Sequence, residues 1–280
     1  MDFRADMHTH TTCSDGTFSP KELIELAVKE ELSGLSITDH DTVAAYTPEL
    51  FAFAEEKGIS LCTGVEFSCS MYGENVHILG YDVDINNLGL LDLCNRHEMR
   101  RKTRNQAIII DLQKRGMPLP EEKVKALFAS EGVIGRPHIA ALLVEEGYVS
   151  TIYDAFSFHL GDEHVSAAAG TPFPVQETLD VIHSANGKAF IAHPQLIKGK
   201  KVISSLFEME FDGIECYYGN LHPHRMQKWI NAVKERRWLF SGGSDFHGRG
   251  KEGIGLGSAW IGQEAFSAIV RLSGVTTGAL

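Results

Sequence analysis

The sequence of 280 residues predicts an α/β fold built around a barrel of parallel strands, and two observations lead to that prediction. Short apolar runs that are typical of strands alternate along the chain with helical patterns. Side chains that can bind metal ions stand at or near the end of one predicted strand after another. Because the carboxyl ends of parallel strands meet at one mouth of a barrel, we expect these side chains to lie together there.

The first of these side chains come from the segment DMHTHTTCSDGTFSP, residues 6–20. The run FRADMHTH alternates as a strand does, so His8 and His10 are expected to face the same side. Asp15 follows in the loop. The next helix has the sequence signature of a capped start, provided by Ser19, Pro20 and Glu22. A strand, a loop rich in possible ligands and a helix form the unit on which α/β enzymes carry their sites.

The remaining predicted strands also carry residues of this kind. The strand LSGLSITDHD ends at Asp39 and His40, and a helix over residues 46–57, closed by Gly58, follows it. The other strands and their polar residues are ISLCTGVEFSC with Glu66, NVHILGYDV with His77, GKAFIAHP with His193, FDGIECYY with Glu215, and WLFSGGSDFH with Asp245 and His247. Similar side chains at successive strand ends favour one shared site at the C-terminal mouth of the barrel.

The middle of the chain, residues 87–170, has no convincing strand pattern. LLDLCNRHEMRRKTRNQAIIIDLQKRG predicts a long helix closed by Gly116, and PEEKVKALFASEG and RPHIAALLVEEG predict two shorter helices stopped by glycine. We therefore predict a helical insertion subdomain at 87–170 over the barrel mouth, with the barrel domain formed by 1–86 and 171–280. The final SGVTTGAL is predicted to be a loose tail.

Composition narrows the class of protein. The formal net charge of −11 argues against a surface that grips duplex DNA, although bound metal ions would still allow a small anionic substrate. No apolar run is long enough to span a membrane, and the chain does not begin with a signal-peptide pattern. Five cysteines without a C-x-x-C pair predict reduced thiols and a cytoplasmic protein. Cys13 lies near the possible ligands, but a structural thiol is the favoured interpretation.

The candidate ligands predict a centre for several metal ions. They comprise six imidazoles and three carboxylates, namely His8, His10, Asp15, His40, Glu66, His77, His193, Asp245 and His247. Each ion needs roughly four to six donors, so this set suits two or three divalent ions. Three carboxylates carry −3 and three divalent ions carry +6, so the filled site would be positive and would suit a phosphate. Imidazole-rich ligation without thiolates favours manganese, iron or zinc over magnesium or calcium.

The motifs HTHTTCSDG, TDHD, GVEFS, HILGY, AHP and GSDFH resemble, in order and over nearly the whole chain, those of the PHP (polymerase and histidinol phosphatase) superfamily. With GRPHIA in the insertion, the chain is most similar to the stand-alone PHP phosphoesterases that act on nucleoside 3′,5′-bisphosphates and short 5′-phosphorylated RNA. This resemblance implies a distorted (β/α)7-type TIM-like barrel that holds up to three metal ions, manganese above all.

The resemblance also implies how the ligands are shared among the ions. One ion would be held by His8, His10, Glu66 and Asp245; a second by Glu66, His77 and His193; and a third by Asp15, His40 and His247. A hydroxide held between two ions would attack phosphorus. The residues expected to be catalytic are Glu66, His193 and Asp245.

Substrate contacts are predicted mainly on the insertion. Arg136 and His138 stand at a predicted helix start, where an anion is favoured, although an ordinary capping contact is the alternative. The run RRKTR is usually a solvated face, but because it lies on the insertion one of its arginines is expected to contact substrate, with Arg100 and Arg104 as the candidates. His222 and His224 precede a helix and could be a general acid or surface residues. Structural roles are expected for His97, His159, His164 and His183.

Three alternatives to a nucleotide phosphoesterase remain open. The substrate could be histidinol phosphate or another small phosphomonoester, or the enzyme could hydrolyse C–N bonds, as related metal barrels do with one ion or a lysine-bridged pair. A non-catalytic PHP module for partner binding is the third, but such modules often lose ligands and here all nine positions are filled. The sequence contains neither a P-loop nor a G-x-S-x-G motif to support another phosphate or acyl chemistry. The oligomeric state is not predicted.

Overall fold

A mixed sheet of eight strands, curved into a nearly closed barrel, organises the protein. The computed structural model describes residues 2–129, 132–161, 164, 173–219, 221–250 and 253–271. The strands are β1 (Ala5–Asp6), β2 (Gly34–Ile37), β3 (Ser60–Met71), β4 (Glu74–Tyr81), β5 (Phe173–Pro174), β6 (Lys188–Ile191), β7 (Gly213–Tyr218) and β8 (Leu239–Gly243). Their order is β1-β2-β3-β4-β6-β7-β8, and β5 pairs with β3 beside this path. The predicted barrel class is thereby confirmed.

Hydrogen bonds beyond β1 and β8 close the barrel. The N–H of Met7 donates to the carbonyl of Gly242 over 3.1 Å, and the backbone N–H of Asp245 donates to the backbone carbonyl of His8 over 2.8 Å. The N–H of His10 in turn donates to the carbonyl of Phe246 over 2.8 Å. The run FRADMHTH therefore behaves as the predicted strand, although regular pairing covers only two of its residues.

The strand β4 departs from the predicted parallel pattern, since it runs antiparallel to both β3 and β6. The cause is the two-residue turn Tyr72–Gly73, in which both residues have positive φ, +53° and +81°. Such a turn matches the twist of two antiparallel strands, and glycine adopts its second position without strain. The beginning of β4, rather than its end, therefore lies at the mouth, and His77 occupies that part of the strand.

Helices cover the outside of the barrel. They are α1 (Pro20–Lys29), α2 (Pro48–Glu56), α7 (Val175–Ser184), α8 (Lys200–Phe207), α9 (Pro223–Arg236) and α10 (Gln263–Ile269). The predicted capping box is present on α1, where the N–H of Ser19 donates to Glu22 over 2.7 Å. The helix predicted at 46–57 is α2, with Thr47 as its N-cap.

Alternate strand residues pack on opposite sides of the sheet. Leu79 and Phe190 contribute to an apolar cluster with Phe266 of α10, whereas their neighbours Ile78 and Ile191 belong to the larger core under the helices. This alternation is what a sheet buried on both faces requires.

The middle of the chain is helical, as predicted, and no strand occurs between residues 87 and 161 in the part that the structure describes. Its elements are α3 (Leu88–Lys114), α4 (Glu121–Ala129), α5 (Arg136–Glu145) and α6 (Ile152–Ala155), which runs into a π-helical turn at Phe156–Leu160. The first half of α3 packs into the main core through Leu90 and Leu93, and the second half joins a separate apolar cluster through Ile108 and Leu112. The predicted end of the insertion at residue 170 and the tail 273–280 lie outside the described residues.

The remaining expectations concern membranes and thiols. Within the described residues, no helix has both the length and the apolar character to cross a membrane. All five cysteines are described, and none forms a disulfide.

Candidate metal centre

The nine candidate ligands, which are far apart in the sequence, converge at the barrel mouth. His8 and His10 follow β1, Asp15 lies in the next loop, and His40 follows β2. Glu66 and His77 lie on β3 and β4, while His193 follows β6 and Asp245 and His247 follow β8. The structure brings all of them together.

Glu66 stands at the middle of this cluster. One of its oxygens, Oε1, lies 2.9 Å from His77 Nδ1 and 2.9 Å from His193 Nε2. The other, Oε2, lies 3.2 Å from His10 Nε2 and 3.0 Å from His40 Nδ1. The carboxylate is 1% exposed, so water contributes little to its solvation. Its two oxygens face different imidazoles and are placed to share more than one cation.

Three groups of side chains have ligand atoms within 4.8 Å of one another, close enough to hold a metal ion. The groups are His8, His10, Glu66 and Asp245; His40, Glu66 and His77; and His10, Asp15, His40 and His247. His193 adjoins the second group, since its Nε2 is 3.2 Å from His77 Nδ1. These groups overlap closely with the three sets that the sequence resemblance implies.

Unpaired buried atoms show that the cluster suits cations. His8 Nε2, His10 Nε2, His40 Nδ1 and Glu66 Oε2 are buried and have no hydrogen-bond partner among the described residues. Leaving a buried polar atom unpaired costs about 1–3 kcal/mol, so three imidazole nitrogens and one carboxylate oxygen left unpaired in one cluster would be strongly destabilising. Divalent ions held by imidazole and carboxylate donors would satisfy all four atoms.

The charges in the cluster favour ionised carboxylates. Burial alone would raise the pKa of Glu66, but the nearby His40, His77 and His8 hold that pKa well below its usual range. Burial lowers the pKa of His10, yet Asp245 and Glu66 outweigh burial and raise it to about 9. For His40 burial dominates, and its pKa falls to about 4. Glu66 therefore carries negative charge at neutral pH and attracts cations.

Buried side chains behind the candidate ligands hold two of them in orientation. Glu215 Oε1 lies 2.9 Å from His8 Nδ1, and its Oε2 accepts the N–H of His193 over 2.7 Å. The contact between Glu215 and His8 Nδ1 directs His8 Nε2 towards Glu66. A carboxylate bound to the second ring nitrogen is the usual way in which a ligand histidine is oriented. The hydroxyl of Tyr218 donates to Asp245 Oδ2 over 2.7 Å. The sequence predicts Glu215 near a strand end but does not indicate this role.

The backbone around the ligands is itself unusual. His193 and Asp245 have positive φ values of +25° and +56°, a conformation that costs energy for residues other than glycine. Gly243 lies directly against His8, and a Cβ atom there would come within 2.4 Å of His8 Cβ. Strained and crowded backbone of this kind is characteristic of functional sites.

The arginines predicted to bind substrate lie on α3 and α5, and the neighbouring Arg101 forms an ion pair with a residue of the barrel. Arg101, 7% exposed, donates through Nε to Asp41 Oδ2 over 2.6 Å and through Nη2 to Ser68 over 2.8 Å. Burial alone would raise the pKa of Asp41, but the charges of Arg101 and His97 hold it well below its usual range. Because Asp41 follows β2, this ion pair joins the insertion to the barrel.

Arg100 and Arg104 are less fully neutralised than Arg101, which is paired with Asp41. Arg100 Nε is buried and has no partner among the described residues. Burial, together with the charges of Arg101, Arg136 and Arg100, lowers the pKa of Arg104 to about 9. Arg136 donates to the carbonyl of Leu160 over 3.0 Å. His138 Nδ1 accepts the N–H of Gly135 over 3.0 Å, which is the capping contact given above as its alternative role.

The arginine cluster (Arg100, Arg101, Arg104 and Arg136) approaches the metal centre through Arg101 and the residue that precedes α5, Gly135. The position that a Cβ atom would take on Gly135 lies 3.3 Å from Asp15 Oδ2 and 3.7 Å from Arg101 Nη1. The N–H of Val133 also donates to the carbonyl of Cys13 over 2.8 Å, so the insertion contacts the first ligand loop. Arg101 and the start of α5 thus lie beside Asp15 at the edge of the metal centre.

The other histidines and Cys13 belong to none of the three groups found among the described residues. His97 contacts Asp41 and stacks on Phe173 with ring centroids 3.9 Å apart. His183 and His159 contact Asp212 and Arg115, respectively, and His222 caps α9 by accepting the N–H of His224. His164 and His224 are exposed.

A barrel with imidazoles and carboxylates converging at its mouth defines the class of metal-dependent hydrolases, and comparison with known proteins specifies the family. The model of the PHP domain matches residues 6–225, so the chain belongs to the PHP domain family. The 5′-3′ exoribonuclease Rnm of Escherichia coli K12 is 31% identical over 248 residues, which is 86% of this chain and 84% of the relative.

Two further proteins support the same assignment. The 3′,5′-nucleoside bisphosphate phosphatase of Chromobacterium violaceum is 28% identical over 258 residues, 90% of each chain. A crystal structure from Bifidobacterium adolescentis, assigned as a metal-dependent phosphoesterase, has a TM-score of 0.84 and 29% identity, covering 95% of this chain and 94% of its own. The protein is a metal-dependent phosphoesterase of the PHP type.

Proposed function

We propose that this phosphoesterase hydrolyses the 3′-phosphate of nucleoside 3′,5′-bisphosphates and also removes nucleotides from the 5′ end of short 5′-phosphorylated RNA. The observation that carries the proposal is that the arginine cluster reaches the edge of the metal centre, where Arg101 and Gly135 lie next to Asp15. Two adjacent anion sites of different chemistry suit a substrate with two phosphates. The named activities of the Escherichia coli and Chromobacterium violaceum relatives fit the same pair of substrates.

We further propose that the nine residues at the mouth hold two or three divalent ions, with manganese the expected metal and iron or zinc the alternatives. Glu66, through its two oxygens, would be shared between ions, as the contacts with His77 and His40 support. When bound, such ions supply a hydroxide at neutral pH and neutralise the charge of a phosphoryl group. Glu215 and Tyr218 would keep His8 and Asp245 in position for this task.

The arginine cluster would hold the 5′-phosphate and leave the 3′-phosphate at the metal centre. Arg100 has a buried Nε that lacks a partner among the described residues, and Arg104 has a pKa lowered to about 9 by burial and by neighbouring arginines. A phosphate would relieve both conditions, since it accepts charge-assisted hydrogen bonds and offsets like charges. Asp41 is already bound to Arg101 and contacts His97, so its charge does not neutralise Arg100 and Arg104 as well.

A panel of substrates tests the proposal on metal-loaded protein with added manganese. Adenosine 3′,5′-bisphosphate, a 5′-phosphorylated pentaribonucleotide, histidinol phosphate and a simple amide would be compared by kcat/KM. We expect the first two to be hydrolysed far faster than the others, with adenosine 5′-monophosphate as the product of the bisphosphate. An Asp245→Asn variant should be inactive and serves as the control for contaminating phosphatases. Preference for histidinol phosphate would refute the proposal and identify a small-molecule phosphatase.

A further inference from the structure

A cleft of about 700 Å³ opens between the segment that follows β6 and the start of α9. It adjoins the centre through consecutive residues, because His193 contacts Glu66 while Pro194 and Gln195 line the cleft. His193, with its positive φ, immediately precedes a 3-10 turn at Pro194–Leu196, so adjacent residues of the chain belong to the two sites. The volume lies in the range of about 300–1,000 Å³ that is typical of ligand pockets.

The cleft is strongly cationic. Lys198, Lys200, Arg225 and Lys228 line it, and no acidic residue does so in the described part of the chain. The nearby Glu74 uses its carboxylate to accept the backbone N–H groups of Lys198 and Gly199, which holds the loop in place. Four basic side chains around one cavity are unexpected in a chain with a formal net charge of −11. An anionic ligand would explain them.

The cleft also offers apolar surface and an unpaired amide. Ile197, Ile203 and the buried Trp229 form its apolar part, with Lys228 Nζ 4.2 Å from the Trp229 ring centroid. Both Gln195 Nε2 and Gln195 Oε1 are buried and have no hydrogen-bond partner within the described residues. An amide presents one donor group and one acceptor, the pattern that a nucleobase edge can satisfy. Cations, apolar surface and an amide together suit a nucleotide.

We propose that this cleft binds the part of an RNA substrate that lies on the 3′ side of the scissile phosphate. The lysines and Arg225 contact the phosphates of that strand, and the amide of Gln195, buried in the structure, turns into the cleft to contact a base. This inference rests on the proposed function, which puts the scissile phosphate at the metal centre and the 5′ end at the arginine cluster. A nucleoside 3′,5′-bisphosphate ends at the reacting phosphate, so it leaves the cleft empty and should not depend on it.

Kinetics on the two substrates test this inference. We would compare wild-type protein with the variants Gln195→Ala and Lys198→Ala/Lys228→Ala, using Lys125→Ala/Lys234→Ala as a control that removes the same charge elsewhere. For the 5′-phosphorylated pentaribonucleotide, the double cleft variant should be 10-fold or more lower in kcat/KM, mainly through KM. For adenosine 3′,5′-bisphosphate, all variants should stay within twofold of wild type. The salt dependence of RNA hydrolysis should also weaken, by about 0.7 in log–log slope for each phosphate that a removed lysine had neutralised.

The outcomes separate this inference from the proposed function. Equal reductions of kcat/KM on both substrates would show that the cleft residues support the metal centre. No reduction of kcat/KM on either substrate would show that RNA does not enter the cleft. Both results would overturn the inference. A wild-type enzyme that cleaves neither substrate would instead contradict the proposed function. In that case, RNA binding can be measured instead, by the fluorescence anisotropy of a 3′-labelled pentaribonucleotide added to the Asp245→Asn variant. Binding that is 10-fold weaker after the Lys198→Ala/Lys228→Ala change would support RNA binding in the cleft. Equal binding would refute it.

Discussion

Glu66 is the residue on which the metal centre depends most, because five imidazoles lie within 3.3 Å of its two oxygens. We predict that Glu66→Gln loses more than one metal ion, since the amide lacks the charge that allows a carboxylate to bridge cations. Elemental analysis of purified protein should find two to three equivalents of manganese, iron or zinc in wild type. The exposed Glu56→Gln variant should retain the wild-type content.

Two results would contradict this prediction. Wild-type protein that binds at most one ion when fully loaded would rule out a centre with several metals. A Glu66→Gln variant that loses only one ion would remove the bridging role but leave the other ligands in place.

At the residue scale, the sequence predicts which residues converge at the barrel mouth better than it predicts the side chains that hold them in position. His8 and His10 are recognisable because the strand period of two puts both on one side. Glu215 has the same appearance in sequence as Glu66, but its carboxylate faces His8 Nδ1 and the backbone of His193. Which of two buried acids contacts metal and which contacts a ligand depends on distances across the barrel, and a single sequence does not contain them.

At the scale of elements, the sequence predicts helix ends well and strand direction less well. The start of α1 follows from local chemistry, the Ser19 cap and Pro20, and local chemistry is legible in sequence. The direction of β4 follows from the short turn at Tyr72–Gly73, which joins two runs that both have the pattern of parallel strands. Although the predicted direction of β4 is wrong, His77 still lies at the predicted site, because an antiparallel strand begins at the edge where its parallel neighbours end.

The long helix α3 shows the same limit. Its sequence predicts a helix with several arginines, yet the pattern does not distinguish the role of Arg101 from those of Arg100 and Arg104. Only the folded chain shows that Arg101 is bound to Asp41 and Ser68 and thereby ties the insertion to the barrel.

The insertion helices allow a direct test of the proposed phosphate anchor. We predict that Arg136→Ala lowers kcat/KM for adenosine 3′,5′-bisphosphate roughly 10²-fold, the effect of removing a charge-assisted hydrogen bond of about 2–3 kcal/mol. Metal content should not change. Arg136→Lys should recover part of the activity, and the exposed Lys102→Ala variant should behave as wild type. Wild-type kinetics with reduced thermal stability would instead assign Arg136 to its bond with Leu160.

At the scale of the whole molecule, metal binding should be coupled to both stability and protons. The raised pKa of His10, about 9, means that this imidazole is protonated at pH 7 in the metal-free fold. Its ion pairs stabilise that fold below the unfolded pKa of about 6.5, and their contribution is lost as pH rises towards 9. Because a metal ion needs the neutral imidazole, manganese binding at pH 7 should release protons and should tighten as pH rises.

The corresponding measurement is thermal unfolding with and without a chelator. At free manganese of about 100 times Kd, each ion adds about 2.7 kcal/mol, so removal should lower Tm by about 5 °C or more. At one fixed free concentration of manganese, the difference in Tm between loaded and chelated protein should grow from pH 6.5 to pH 9, because Kd falls over this range. A constant difference over this range would show that ligand protonation does not oppose metal binding.

The distribution of charge over the molecule predicts which phosphate reacts. The metal centre can polarise and cleave, whereas the arginine cluster can only hold, so one phosphate of a bisphosphate should anchor and the other should react. If the 5′ group anchors, its removal should damage turnover as well as binding, since remote binding energy positions the reacting centre. Adenosine 3′-monophosphate should therefore show both a lower kcat and a higher KM than adenosine 3′,5′-bisphosphate. In the Arg136→Ala variant the two substrates should become more alike, because the group that distinguishes them no longer has its partner. Equal kcat/KM for both compounds in wild-type protein would mean that the arginine cluster does not hold the 5′-phosphate and that the enzyme is a general phosphomonoesterase.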